Sequence, residues 1–278
     1  MHLKPSFYII GERKCGTSSL YRYLLYHPNV LPCQLKEPQF FVKPLWRIIL
    51  GIRKYYRLFP SLEHQGDITV NWPELDKEGK LFFETLTVER LPEEQYITGE
   101  ASAETFYRAK PKVLQYFLPE IKLILLLRNP VERTYSHYRM LERYQKMGRK
   151  TAVPLTNFED DMRREMEDTR KGRSSFFIGP SLYINRLSVW QKVFGKENLK
   201  VILTEQLDDA SLAIETMNQL CSYLKLPEYD FSNILNERYN KAPQKGVPSE
   251  IEAELYDFFA PYNQALEDLL EIKLNWKS

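Results

Sequence analysis

The sequence predicts an α/β fold: a single domain with a central parallel β-sheet flanked by helices. Three observations carry this. The apolar run Ile121–Leu127, "IKLILLL", suits a strand covered on both faces, as in a parallel sheet. The stretch from Ser6 onward joins a short apolar run, a glycine loop and an amphipathic segment in the order strand, loop, helix. Further β-rich runs alternate with helical patterns along the chain. At 278 residues and 43% hydrophobic content the chain can bury one large core, and no linker, repeat or low-complexity tract divides residues 1–278.

Taken in order, "SFYII" (Ser6–Ile10) is the first strand. The loop "GERKCGTSS" follows at once, and Leu20, Tyr23, Leu24 and His27 then recur at helical spacing until Pro28 stops the helix. "QYITGE" (Gln95–Glu100) predicts a second strand and Ile121–Leu127 a third, after which Pro130 is placed for the first turn of a helix. The stretch from Tyr138 to Pro154 includes a mobile surface loop in this reading, and "FEDDMRREMEDTRKGR" (Phe158–Arg173) is a solvated helix. Tyr183, Leu187 and Trp190 share one helical face and suit core packing. "LKVILTEQL" (Leu199–Leu207) predicts a last strand, and Pro261 divides the closing helical pattern into two helices or one kinked helix. In such sheets ligands gather at the carboxyl ends of strands, where Gly11, Glu100, Arg128 and Glu205 fall.

The charge is balanced at +2, so no chain-wide field points to nucleic acid or anionic lipid, and anion binding has to be local. Cys15, Cys33 and Cys221 lack metal spacing and cannot all pair, which suits reduced thiols, with one disulfide left open. Cys15, inside the loop, is either a reactive thiol or a small residue that fits there. No sequon and no apolar run of spanning length is present, which favours a cytoplasmic chain; a trimmed catalytic domain from the Golgi lumen is the alternative. Eighteen tyrosines and fifteen phenylalanines supply either core or aromatic platforms for bases and sugars.

Three features carry chemistry. Gly11 and Gly16 have phosphate-loop spacing, but Thr17 follows Gly16 and the lysine, Lys14, lies inside the loop. A short phosphate whose next group is transferred suits that placement: loop N–H groups and the Thr17 and Ser18 hydroxyls hold it, while Lys14 neutralises charge on the bridging oxygen. Next, Arg128 leaves the long strand and Ser136 follows two helical turns later, so both can meet one further phosphate; a structural Arg128–Glu132 pair is the competing reading. Finally, Glu37 in "KEPQFF" either is a surface charge or serves as a general base toward a hydroxyl acceptor.

Together these segments resemble the sulfotransferase family that uses 3′-phosphoadenosine 5′-phosphosulfate (PAPS), in its branch acting on glycosaminoglycans and other carbohydrates. "ERKCGTSSLYRYLLYHP" is similar to the family's 5′-phosphosulfate loop, "KEPQFF" to its acidic segment and "LLLRNPVERTYSHY" to its 3′-phosphate segment. "GEASAETFY" and "FFAPYNQALEDLL" resemble members acting on chondroitin-type chains. The resemblance implies a P-loop-like sulfotransferase fold, PAPS as donor with PAP as product, no metal, and a carbohydrate or other hydroxyl-bearing acceptor. It implies donor binding by Arg13, Lys14, Cys15, Gly16, Thr17, Ser18, Arg128 and Ser136, with Glu37 and Lys14 catalytic. Lys245 and Gly246 lie where the family has a loop closing over the nucleotide, though the bracing cysteines and the following arginine are missing. Ala101 stands where heparan-type members have a lysine, which points to a different acceptor. An ATP- and Mg²⁺-dependent kinase is disfavoured, because no lysine follows Gly16 and the strand ends in Arg128 rather than an aspartate. A non-catalytic glycan-binding module is the third reading. Acceptor-shaping loops are expected over 43–72 and 143–174.

Overall fold

The computed structural model describes residues 2–61, 66–75, 80–88, 95–232 and 246–276. Five parallel strands form the central sheet: β1 (Phe7–Gly11), β2 (Val30–Leu31), β5 (Ile97–Ala103), β6 (Lys122–Leu127) and β7 (Leu199–Leu203), in the order β2-β5-β1-β6-β7. Every residue of β1 is buried, and so are Leu123–Leu127 of β6, as expected for strands covered on both faces. A separate antiparallel hairpin, β3 (Ile68–Leu75) with β4 (Leu81–Val88), lies outside the sheet.

Connections set the position of the site. The crossover leaving β1 passes through α1 (Thr17–Leu25) toward β2, whereas the one leaving β6 through α5 (Pro130–Lys146) runs toward β7 on the opposite side. The chain therefore parts in two directions above the carboxyl ends of β1 and β6, opening a crevice where ligands bind in such sheets. Register holds the ends level: Gly11 pairs with Ala103 on one side and Leu126 on the other.

Local chemistry explains the helices. Asn129 caps α5 by accepting from the Val131 and Glu132 N–H groups, with Pro130 at the first position. Asn157 caps α6 (Phe158–Arg170), whose first turn carries Glu159, Asp160 and Asp161 against the positive end of the helix. Tyr183 stands just ahead of α7 (Ile184–Phe194), and with Leu187 and Trp190 it is buried in the core as the sequence predicts.

Some expectations change, and others resolve between the alternatives that the sequence left open. The predicted strand 199–207 ends at Leu203, and Thr204–Leu207 forms one 3₁₀ turn instead. Glu100 lies inside β5, which continues to Ala103, so it is a buried mid-strand residue rather than a strand end. Helix α5 reaches Lys146, which confines the surface loop expected within 138–154 to residues 147–154. The expected acceptor loops contain α2 (Leu45–Tyr56) and α6. Pro261 sits within a single helix, Ser249–Leu270. All three cysteines are free and buried.

Candidate active site

The loop between β1 and α1 is bent twice into left-handed backbone, at Lys14 (φ 74°) and Gly16 (φ 87°). Gly16 is the N-cap of α1 and offers no side-chain acceptor, so the first-turn N–H groups face the crevice without the kind of cap that Asn129 gives α5. Such a bend has the geometry to take an anion, with the Thr17 and Ser18 hydroxyls beside it. Gly11 permits the close turn, because a Cβ there would come within 2.8 Å of Thr17 Cγ2. Neighbouring elements brace the loop: the Thr204 hydroxyl donates to Cys15 O at 2.7 Å, and the buried Arg133 donates to Arg13 O at 3.4 Å.

Not every predicted loop residue faces the crevice. The Cys15 thiol points into the core, 3.6 Å from the Tyr183 hydroxyl, and burial pushes its pKa up to about 11, so its side chain is a space-filler. The Arg13 side chain is held by Glu104 at 3.0 Å, and Glu104 also accepts from Arg108 at 3.1 Å.

Lys14 is the loop's cation. Burial pushes its pKa below the ordinary lysine value, and the positive charges of Arg128 and Arg143 press it further. Arg128 forms the structural pair that the sequence offered as the competing reading, with Glu132 at 3.0 Å, and it also donates to Lys14 O at 3.2 Å beside the loop. Ser136 stands one turn beyond Glu132 on the same helix face. Arg143, within the range expected to shape the acceptor site, lies instead in α5 two turns beyond Ser136, and helical spacing from Ser136 is the signal that finds it.

Glu37 reaches the same helix end from the opposite side: the Ser18 hydroxyl donates to Glu37 Oε1 at 3.4 Å. Its segment is strained, with Glu37 (φ 49°) and Gln39 (φ 50°) both left-handed around Pro38. The strain is held by β5, since Gln39 N–H donates to Ser102 Oγ at 3.0 Å and Gln39 Nε2 to Ala103 O at 2.6 Å. Behind it lies Glu100, fully buried, accepting from Tyr55 at 2.7 Å and Ser102 at 2.5 Å. Burial is the main cause that raises the Glu100 pKa to about 7, with the Glu37 charge adding to it.

On the far side of the loop is a cavity of about 630 Å³ bordered by Glu12, Arg13, Tyr107, His137 and Phe176. His137 is buried with neither ring nitrogen partnered; burial and the nearby Arg133, Arg13 and Lys14 charges lower its pKa to about 2 and keep it neutral. Lys245 lies outside the described residues, and Gly246 is exposed just ahead of the last helix.

No family model matches the sequence. Among curated proteins, the chain is 27% identical over 324 residues to carbohydrate sulfotransferase 15 of Rattus norvegicus, covering 99% of this chain and 55% of that protein. It is 26% identical over 239 residues to the bifunctional heparan sulfate N-deacetylase/N-sulfotransferase of Drosophila melanogaster, covering 83% of this chain and 20% of the other. The chain thus spans about half or less of these relatives' length. Among solved structures, a sulfotransferase from Alicyclobacillus acidocaldarius superposes with a TM-score of 0.66 at 25% identity, covering 98% and 97% of the two chains. Over nearly its whole length the chain is thus similar to a sulfotransferase in fold, and in sequence to relatives named as carbohydrate and heparan sulfate sulfotransferases.

Proposed function

We propose that the protein transfers the sulfuryl group of PAPS to a hydroxyl of a carbohydrate acceptor. In this reading the bend at Lys14–Ser18 holds the 5′-phosphosulfate, and Arg128 with Ser136 holds the 3′-phosphate, with Arg128 exchanging Glu132 for the phosphate. Glu37 takes the proton of the acceptor hydroxyl as its oxygen bonds to sulfur. The bond from sulfur to the bridging oxygen breaks, its electron pair stays on the 5′-phosphate, and the Lys14 ammonium with the loop N–H groups stabilises that charge. The products are a sulfate ester and PAP.

One observation carries the reading: Ser18, on the helix that ends the donor loop, is hydrogen-bonded to Glu37, so leaving-group and base machinery face one crevice. The test is sulfate transfer from PAPS, with chelator present, to a panel of desulfated glycans and small alcohols. Glu37→Gln is expected to lower kcat about 10²- to 10⁴-fold while PAP affinity is kept. Phosphate transfer from ATP with Mg²⁺, or a Glu37→Gln variant with undiminished turnover, contradicts the proposal.

A further inference from the structure

Helix α2 is apolar on both sides of its first two turns. Its inner side packs Ile48 and Tyr55 into the core, yet Leu45, Trp46, Ile49 and Leu50 on the outside are 50%, 58%, 54% and 76% exposed. A helix apolar all round is ordinarily covered on all sides, and nothing among the described residues covers this one.

The charge around it is one-sided. Residues 38–62 contain no Asp or Glu but hold Lys43, Arg47, Arg53, Lys54 and Arg57, all exposed, whereas the whole chain is only +2 and the remainder is therefore net acidic. Among the described residues none of these five cations sits in an ion pair, although fourteen ion pairs form elsewhere. The Arg47 guanidinium lies 5.0 Å from the Trp46 ring centre, and the second half of the outer face continues in Arg53, Lys54 and Arg57. With 12 residues the helix is about 18 Å long, too short to cross a bilayer but suited to lie on one.

We propose that the outer face of α2 docks on an anionic lipid surface, with Trp46, Ile49 and Leu50 entering the headgroup boundary and Arg47, Arg53, Lys54 and Arg57 lying against lipid phosphates. Tryptophan with aliphatic residues, flanked by unpaired Lys and Arg and no acid, is the composition of helices that bind in the membrane interface. A protein partner is the competing occupant, since Trp and Arg are also enriched at protein interfaces; five cations without one acid over residues 38–62 favour lipid phosphates. The proposal stands independently of the sulfotransfer reading.

The test is co-sedimentation of the whole protein with phosphatidylcholine vesicles, with and without phosphatidylglycerol. Wild type is expected to sediment with the phosphatidylglycerol vesicles and to be released as salt rises. Ile49→Glu with Leu50→Glu is expected to abolish binding, and Arg53→Glu with Lys54→Glu to weaken it by more than about tenfold, each basic residue near the surface being worth about a fivefold factor. Both pairs are exposed, so melting temperature should hold and separate lost docking from lost folding. Three outcomes overturn the proposal: no sedimentation of wild type with phosphatidylglycerol vesicles, equal retention of the Ile49→Glu/Leu50→Glu variant, or a wild-type dimer that this variant disperses without any vesicle binding.

Discussion

Glu12 and Glu100 are carboxyls that folding buries on either side of the glycine loop, and their pKa values rise from 4.5 to about 8 and about 7, chiefly through burial. Between the ordinary value and those folded values the unfolded chain has lost a proton that the folded protein keeps. Stability is therefore greatest at acid pH with respect to these groups, falls as pH rises through the window, and levels off once both have ionised. The slope reaches at most about 1.4 kcal/mol per pH unit for each group. Glu12→Gln, which can still accept from the Tyr107 N–H, should flatten that fall; parallel melting curves for variant and wild type between about pH 5 and pH 8 would contradict it. Motif spacing marks Lys14, Glu37, Arg128 and Ser136 as candidates in the sequence, and the structure brings Glu37 to Ser18 and Arg128 to the Lys14 carbonyl. Arg133 and Thr204 were not, because their proximity to the loop is created by the sheet and by α5, across separations that no local pattern records.

At the scale of elements, the loop depends on Gly16 in left-handed backbone at the mouth of α1. A Cβ there meets Thr204 only at van der Waals distance, 3.5 Å, so backbone conformation rather than crowding sets the cost. Gly16→Ala is expected to destabilise the protein by about 1–2 kcal/mol and to weaken PAP binding together with it. Unchanged melting and unchanged PAP affinity would remove the loop from the account. Elements with strong periodicity or capping chemistry were readable: β1 with its loop and helix, β6, and α6. The β3–β4 hairpin was not, since Leu81, Phe82 and Phe83 are exposed and break the inside-outside alternation that reveals a half-buried strand. Helix α2 escaped for a related reason, being apolar on both faces.

For the whole molecule, alternating strands and helices predicted the parallel sheet, and the strand order then supplied what the sequence lacked. Opposite crossovers from β1 and β6 bring the Lys14 loop and Arg128 to the two sides of one crevice, and β5, on the other flank of β1, carries the braces for Glu37. Contacts from Ser18 to Glu37 and from Arg128 to the Lys14 carbonyl tie segments that lie far apart in the chain into that arrangement. The most direct test is a crystal structure with PAP bound. The account predicts the 5′-phosphate on the N–H groups of Gly16–Ser18 beside Lys14, and the 3′-phosphate on Arg128 and Ser136 with the Glu132 pair broken. Nucleotide bound elsewhere, or Arg128 still paired to Glu132 beside an uncontacted 3′-phosphate, would contradict it.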